Sequence, residues 1–311
     1  MIHQRGFWVV LAALVAGGGL VLVGNADNSV SLTAATEVWG DVLRDVDQFG
    51  LSVTRVTDAE ETALGKRLAA SMFGSGEGPD AREAYVAAVG RLLEPHVRRK
   101  GIAYTFRVVP GLAANAMALP GGQVFITAGM LDAIESEAEL ASVLAHEMAH
   151  VDQRHCIEQY QMQVLLGRID LEAAGAVPAL ARGLVMAGYR KYQEVEADAA
   201  GQRLVVAAGY DPQGAIDLMQ RLLTQESGIH SPSGRASRNP LEEILDETGE
   251  ALGGYFESHP GAEDRIERLR QLERSRQFWS ASRTFAIGRE NKRRGVTVAE
   301  ETFPGETTPP K

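Results

Sequence analysis

The chain has 311 residues, a formal net charge of −10 and 45% hydrophobic residues, which is enough apolar material to bury a sizeable core. This composition excludes an intrinsically disordered protein, and the acidic balance argues against nucleic acid as a partner, because phosphate binding needs a basic surface. The single cysteine, Cys156, excludes an internal disulfide framework and a cysteine-rich zinc module.

The first predicted element is an apolar segment near the N-terminus. Phe7–Val23 holds 17 residues without a charge, follows Arg5 and precedes the small residues Gly24–Ala26. This pattern predicts that residues 1–26 are either a cleaved secretory signal or a retained membrane anchor. Either outcome places the protein in the cell envelope, free in the periplasm or tethered to the inner membrane by residues 7–23.

Residues 27–285 are predicted to form one domain that is mainly α-helical with a small β-sheet, an α+β class. Apolar residues at helical spacing predict helices over Glu37–Phe49, Asp58–Phe73, Ala81–Arg99, Ala133–His155, Met162–Met186, Gln193–Ala208, Pro212–Leu223 and Glu263–Arg276. Strands are predicted at Tyr104–Val109 and Val124–Thr127, with a turn at Pro120–Gly122 and loops at 74–80 and 229–239. Residues 286–311 are predicted to be a tail that is disordered at its end, after Thr302.

The segment Leu140–His155 carries the motif that points to chemistry, His146-Glu147-Met148-Ala149-His150. On a helix, residues four apart lie about 40° apart around the axis, so the two histidines project from one face, one turn apart. Two imidazoles in this arrangement can bind one Zn²⁺ together, while the adjacent Glu147 is suited to take a proton from water. Burying these groups in an alanine-rich helix would be costly without such a role.

A catalytic zinc site needs a third protein ligand, and the candidates are His155, Glu158, Glu172, Glu194, Glu196 and His259. His155 lies about 140° from His150 around the helix and cannot reach the same site unless the helix breaks. Glu194 and Asp198 share one helix face, whereas Glu196 points elsewhere. Glu194 could therefore bind the metal, and Asp198 could hydrogen-bond a ligand histidine. A solvated acidic face explains the same pattern equally well on physical grounds alone.

The order of these motifs resembles the gluzincin metallopeptidase family M48, which includes the CAAX prenyl proteases, the HtpX heat-shock protease and bacterial periplasmic quality-control proteases. The similar segments lie between residues 55 and 275 and are Glu61–Leu68, Tyr85–Leu92, Asn115–Gly122, Val124–Leu131, Glu137–His155, Glu194–Gly201, Ser258–Pro260 and Arg265–Ile266. The resemblance implies a zincin-like domain that holds one Zn²⁺ per chain between the motif helix and a second helix carrying Glu194.

The resemblance also implies roles for individual residues. The zinc ligands it implies are His146, His150 and Glu194, and the catalytic base is Glu147. Asp198 is implied as a further catalytic residue, either an orienting carboxylate or a proton donor. We favour the orienting role, because a carboxylate paired with an imidazole should stay ionised.

Two flanking elements fit the same mechanism. The segment Asn115–Thr127 would lie along the cleft, where an extended polypeptide could add to its edge as a further strand. His259 is expected to approach the zinc, where it would either stabilise the oxyanion or cover the metal; a plain surface histidine is the alternative. Arg265 is expected to support the same site.

Together these features predict a zinc-dependent endopeptidase of the cell envelope. The resemblance, not the residues, implies that its polypeptide substrates are unfolded or damaged proteins. Two rival functions remain: an envelope chaperone or assembly factor with a latent zinc site masked by His259, and a zinc-stabilised scaffold without activity. Glu147 argues against the scaffold, since a purely structural site needs no base and usually has a fourth ligand.

Overall fold

A computed structural model describes residues 56–74, 80–165, 184, 188–228, 254–275 and 284–308. All of them belong to the larger of the chain's two compact units, Val56–Lys311. The predicted signal or anchor (1–26), the predicted helix over 37–49, most of the one over 162–186 and the loop over 229–239 lie outside the described residues. Within the described ranges, no helix is long and apolar enough to cross a membrane.

Two helices, α1 (Asp58–Phe73) and α2 (Ala81–Leu93), precede the sheet. Thr57 begins α1 with a capping box: its hydroxyl accepts from the Glu60 amide at 3.3 Å, and the Glu60 carboxylate accepts from the Thr57 amide at 2.8 Å. Asp80 caps α2 through its carboxylate. The bounds predicted for α1 are confirmed. They can be predicted from sequence because the two capping residues are only three positions apart.

The second helix is shorter than its sequence pattern suggests. It was predicted to continue to Arg99, but it ends at Leu93 and is followed by a 3₁₀ turn over Glu94–His96. Pro95 lies inside this turn, and a proline has no amide hydrogen with which to continue the α-helical ladder. The predicted C-terminal bound of this helix is therefore wrong.

Three strands form the sheet: β1 (Thr105–Val109), β2 (Ala116–Leu119) and β3 (Gln123–Thr127). β3 is central, parallel to β1 and antiparallel to β2, so β2 is an edge strand. Every residue of β2 and β3 is buried, because helices cover the sheet. The predicted class, mainly α with a small β-sheet, is confirmed.

The helix predicted over Ala133–His155 starts later than expected. A short α3 (Ala128–Ala133) ends first, and α4 (Glu137–Asp152) begins after Ser136, whose hydroxyl accepts from the Glu139 amide at 3.2 Å. All residues of α4 are buried, including both histidines of the motif. The motif therefore lies on the central helix of the domain.

The predicted helix also breaks before its expected end. α4 stops at Asp152, and Arg154 adopts a left-handed conformation with φ of +69°, after which α5 begins (His155–Leu165). The Asp152 carboxylate accepts hydrogen bonds from the backbone amides of Arg98 and Arg99 at 2.7–3.1 Å. These bonds hold this end of α4 against the segment after α2. The break redirects His155, which matters for the site.

The second helix of the site, α6 (Lys191–Ala208), packs closely against α4. Ala149, Ala197 and Ala200 form a buried cluster between the two helices. Gly201 allows a still closer approach, since a Cβ at this position would lie 3.2 Å from the backbone nitrogen of His146. Small residues at a helix contact shorten the distance between the axes, so the acidic side chains of α6 reach the histidines of α4.

The remaining helices are α7 (Gln213–Gly228), α8 (Tyr255–Ser258), α9 (Ala262–Arg274) and α10 (Arg289–Arg294). α7 and α9 pack through one apolar cluster, which consists of Ile216, Met219, Ala262, Ile266 and Leu269. This packing places the start of α9, and with it Arg265, beside α6.

The C-terminal segment is tied to the body of the domain as far as residue 308. The Ile287 amide donates to the Glu306 carbonyl and the Thr308 amide to the Phe285 carbonyl, both at 2.8 Å. Composition predicts disorder after Thr302, whereas main-chain hydrogen bonds join Glu306 and Thr308 to Ile287 and Phe285. Residues 309–311 lie outside the described residues.

The same segment completes the start of α4. The amides of Glu137 and Ala138 donate to the carbonyls of Gly288 and Ile287, both at 3.0 Å. The buried carboxylate of Glu137 accepts from the Val298 amide at 2.9 Å. A helix leaves its first amides without intrahelical partners, and here a distant part of the chain provides them.

Candidate metal centre

Four side chains from three segments converge in the interior of the domain: His146 and His150 from α4, Glu194 from α6, and His259 from the residue after α8. One nitrogen or oxygen of each lies within 4.8 Å of the others. None of the four side chains belongs to a residue that is more than 5% exposed. The structure thus brings the three expected ligands together and adds His259 to them.

The spacing of these atoms fits a tetrahedral zinc ion. His146 Nε2 lies 3.1 Å from His150 Nε2 and 3.3 Å from His259 Nδ1. The Glu194 oxygens lie 3.1–3.4 Å from the three imidazoles. Ligands about 2.0–2.1 Å from a tetrahedral zinc would be about 3.3–3.4 Å from one another. Since the nitrogen lone pairs of facing imidazoles repel without a cation, both the donor set and its spacing fit Zn²⁺.

A second carboxylate of α6 contacts the first histidine. Asp198 Oδ1 lies 3.0 Å from His146 Nδ1, and Arg265 holds this carboxylate with two hydrogen bonds at 2.7 and 2.8 Å. Burial alone would raise the pKa of Asp198, but Arg265 and His146 outweigh burial and lower the pKa to about 2. Asp198 is therefore ionised at neutral pH, as the orienting role requires.

The two ligand histidines have different electrostatic environments. Burial lowers the pKa of His150 well below its usual value, which favours the neutral form that binds metals. Burial and Arg265 also act to lower the pKa of His146, but Asp198 and Glu194 outweigh them and raise it to about 9. The carboxylates around His146 thus attract positive charge, and a divalent cation would provide it.

The third expected ligand is also ionised. Burial would raise the pKa of Glu194, but His259 and Arg265 outweigh it and bring the pKa well below its usual value. Arg265 Nη1 lies 2.8 Å from Glu194 Oε2. One buried guanidinium thus contacts both Glu194 and Asp198, so Arg265 supports the site as expected.

Glu147 lies beside the four-residue cluster without belonging to it. It is fully buried, and neither carboxylate oxygen has a hydrogen-bond partner within the described ranges. Burial raises its pKa above the usual value, although His259 and His146 act in the opposite direction. A buried polar group without a partner calls for an explanation, and a base that receives a proton from water is one.

Sequence reasoning missed the aromatic partner of the second histidine. The ring of Tyr189 stacks on His150 with centroids 3.5 Å apart and planes at 13°. Its hydroxyl lies 3.4 Å from the Ala118 carbonyl on β2 and 3.3 Å from Cys156 Sγ. No local signal marks Tyr189, because it precedes α6 and belongs to none of the recognised motifs.

The structure places two residues that the sequence set aside as ligands, His155 and Glu196, next to His150 and outside the four-residue cluster. His155 was expected to lie out of reach unless the helix broke, and the break at Arg154 brings its Nδ1 within 3.0 Å of His150 Nδ1. Glu196 was expected to point elsewhere, yet its Oε2 lies 3.2 Å from His155 Nε2. Both residues approach the site from behind His150 rather than joining the four-residue cluster.

The segment that carries His259 covers the site from the side of the edge strand. The Tyr255 amide donates to the Ala114 carbonyl at 3.0 Å, and the Tyr189 amide donates to the Ser258 carbonyl at 3.1 Å. The Tyr255 ring stacks on His259 with centroids 4.7 Å apart. All four residues of β2, beside which a cleft was expected, are buried, and His259 is the fourth member of the cluster.

A buried helix with two histidines and a glutamate, completed by a carboxylate from a second helix, defines the zinc metallopeptidase class of site. The model of Peptidase family M48 matches residues 80–273, and the chain belongs to this family. The family is zinc-dependent, and the buried cluster of this chain can hold the metal.

Curated proteins from bacteria and eukaryotes are similar to this chain. The mitochondrial metalloendopeptidase OMA1 of Arabidopsis thaliana is 27% identical over 177 residues, which cover 55% of this chain and 32% of that protein. The beta-barrel assembly-enhancing protease of Yersinia pestis is 27% identical over 197 residues, 57% of this chain and 40% of that protein. OMA1 of Schizosaccharomyces pombe is 32% identical over 163 residues, which cover 49% of this chain and 48% of that protein. The chain thus spans less than half the length of each of these relatives.

Proposed function

We propose that the protein is a zinc-dependent endopeptidase of the cell envelope that hydrolyses peptide bonds in unfolded or damaged proteins. The observation that carries this proposal is the buried carboxylate of Glu147 beside four donor atoms that lie within 4.8 Å of one another. Relatives named metalloendopeptidase and protease support hydrolysis of polypeptides. The envelope location rests on the apolar segment Phe7–Val23.

The ligands we propose are His146, His150 and Glu194. Zinc bound to them would polarise the scissile carbonyl and lower the pKa of the attacking water. Glu147 accepts the proton of that water and then delivers it to the leaving amine. Its raised pKa suits this double role, because the group must hold a proton briefly and release it again.

Other residues keep the ligands in place. Asp198 accepts the hydrogen of His146 Nδ1, which fixes the tautomer whose Nε2 faces the other donor atoms. Arg265 holds Asp198 and neutralises part of the negative charge of Glu194. With water excluded from these groups, the ligands keep their geometry at no reorganisation cost during the reaction.

The test of this proposal combines Glu194→Ala with removal of the metal. We expect the full wild-type chain to cleave casein, to lose cleavage with a chelator and to recover it with added zinc. Glu194→Ala should lower the zinc content and abolish cleavage, since the site loses its only proposed anionic ligand. Elemental analysis and a casein assay measure both. Unchanged zinc stoichiometry in the variant would reject Glu194 as a ligand, and chelator-resistant cleavage would reject a zinc mechanism.

A second candidate function is a chaperone or assembly factor of the envelope that binds chains and cleaves them rarely. It is favoured by the position of His259, whose Nδ1 lies among the ligand atoms and whose Nε2 lies 3.4 Å from Glu147. Structural zinc sites have four protein ligands, whereas catalytic sites keep one position open. In this arrangement His259 masks the metal, and the protein is latent until the covering segment moves.

His259→Ala distinguishes masking from oxyanion stabilisation. We expect faster casein cleavage, because the variant removes the side chain that occupies the fourth position of the ligand cluster. If the wild-type site is open in about a tenth of the molecules, the rate should rise about 10-fold, since it scales with the competent fraction. The exposed His96→Ala is the control and should leave the rate unchanged. A slower rate in His259→Ala would contradict masking and favour a role on the oxyanion.

A further inference from the structure

We infer that His155 and Glu196 are positioning residues that hold His150 in the orientation in which its Nε2 faces the metal. This inference rests on the proposed zinc ligands. It concerns the Nδ1 side of the second ligand histidine, because Glu194 on the shared face of α6 lies 3.4 Å from its Nε2 instead. The first ligand histidine has Asp198 for this purpose.

The three side chains form a continuous chain of contacts. His150 Nδ1 lies 3.0 Å from His155 Nδ1, and His155 Nε2 lies 3.2 Å from Glu196 Oε2. His150 Nε2 is on the opposite side of its ring, 3.1 Å from His146 Nε2. Both ring nitrogens of His150 are therefore engaged, one toward the ligand cluster and one toward His155.

Only one arrangement of hydrogens satisfies these three side chains when His150 binds a metal. Its Nε2 must then be free of hydrogen, so its Nδ1 carries the hydrogen and donates it to His155 Nδ1. His155 must in turn carry its hydrogen on Nε2, and it donates that hydrogen to the Glu196 carboxylate. Because a carboxylate accepts only, Glu196 selects this tautomer of His155, and His155 selects the metal-binding tautomer of His150.

The local backbone produces this contact. His155 is five positions after His150, which would place the two on different sides of one continuous helix. The left-handed Arg154 ends α4 and directs His155 back toward the ligand, where it is 2% exposed. A positive φ at a residue other than glycine is uncommon and costs free energy. The helix break is thus tied to a specific contact at the site.

Glu196, at the outer end of this series of contacts, lies at the surface. The side chain of Glu196 is 43% exposed, whereas the side chains of His155 and His150 are nearly or fully buried. Tyr189 holds the flat face of His150 by stacking. Stacking fixes the tilt of the ring, while His155 fixes its rotation in the plane.

The experiment measures zinc affinity of the full chain by competition with a chromophoric chelator, together with the visible spectrum of the Co²⁺-substituted protein. His155→Phe keeps a planar ring but removes the acceptor, and we expect it to weaken zinc binding about 10–100-fold. His155→Gln offers a carbonyl oxygen to His150 Nδ1 and should restore most of the affinity. Glu196→Ala should weaken binding less and, being half-exposed, should leave the fold intact. Glu158→Gln, on the same helix as His155, is the control.

The inference is overturned if His155→Phe binds zinc as tightly as the wild type, or if Phe and Gln weaken binding equally, because equal losses would indicate packing alone. Melting curves of the metal-stripped variants exclude unfolding as the cause. His150→Ala separates this inference from the proposal beneath it: unchanged zinc affinity in that variant would show that the ligand set is wrong. If zinc binding responds as expected and no variant or wild-type protein cleaves casein, the inference stands and the proposed activity fails.

Discussion

Glu147→Gln is expected to abolish the cleavage of casein while the zinc content stays at the wild-type level. The amide has the same shape as the carboxylate but cannot accept a proton, so the loss should reach the contribution of a general base, about 10²–10⁴-fold. Zinc should remain because Glu147 lies outside the four-residue ligand cluster. Parallel measurements of turnover and of zinc by elemental analysis check both parts.

The control is Glu257→Gln, which removes an exposed carboxylate within α8, two residues before His259. It should retain wild-type turnover. If Glu147→Gln retained full turnover as well, the proposed mechanism would be wrong. If it lost zinc together with activity, Glu147 would be a ligand rather than a base, and the proposed ligand set would need revision.

Arg265→Met is expected to lower the free energy of unfolding of the metal-stripped protein by about 3–5 kcal/mol. The substitution leaves the carboxylates of Asp198 and Glu194 buried without their guanidinium, 2.7–2.8 Å away in the native fold. Removing one partner of a buried ion pair costs more than the pair contributes, because the remaining charge stays out of water. Urea denaturation with and without added zinc measures the loss, and zinc should restore part of it.

Lys191→Met is the matched control for this prediction. Lys191 also joins α6 to α9, through Asp264 at 2.5 Å, but both side chains are at least 60% exposed. An exposed ion pair contributes about 0–1 kcal/mol, so its loss should be small. Similar losses in both variants would show that Arg265 acts as an ordinary link between helices and not as the counter-charge of the site.

The two histidines and the glutamate that we propose as ligands and base could be placed together from sequence, because their relation is local. His146 and His150 are four residues apart on one helix, so helical geometry alone places them on one face. The third ligand needs tertiary packing between α4 and α6, which no spacing encodes. Physical reasoning could place Glu194 and Asp198 on a common face, and only the family resemblance favoured Glu194 as the ligand.

The same division holds for the fold. The start of α1 depends on Thr57 and Glu60, which are three residues apart, and its bounds were predicted correctly. The break at Arg154 was missed, because nothing in the local sequence favours a positive φ at an arginine. The contacts of His155 and Glu196 depend on that break, so they could not have been predicted either.

His259 shows the limit of the motif reading most clearly. Its sequence context left three roles open, at the surface, on the oxyanion or over the metal. Its position depends on the pairing of the Tyr255 amide with Ala114, a contact between residues far apart in the chain. Long-range main-chain contacts of this kind carry no periodic signal in the sequence.

The pairing of the first amides of α4 has a consequence for how the protein is made. The carbonyls that receive the Glu137 and Ala138 amides belong to Gly288 and Ile287, which the ribosome adds long after the motif helix. A nascent chain that ends before these residues has the histidines and Glu147 but lacks the partners that complete their helix. The site therefore reaches its final form only once the chain that folds includes residues 287 and 288.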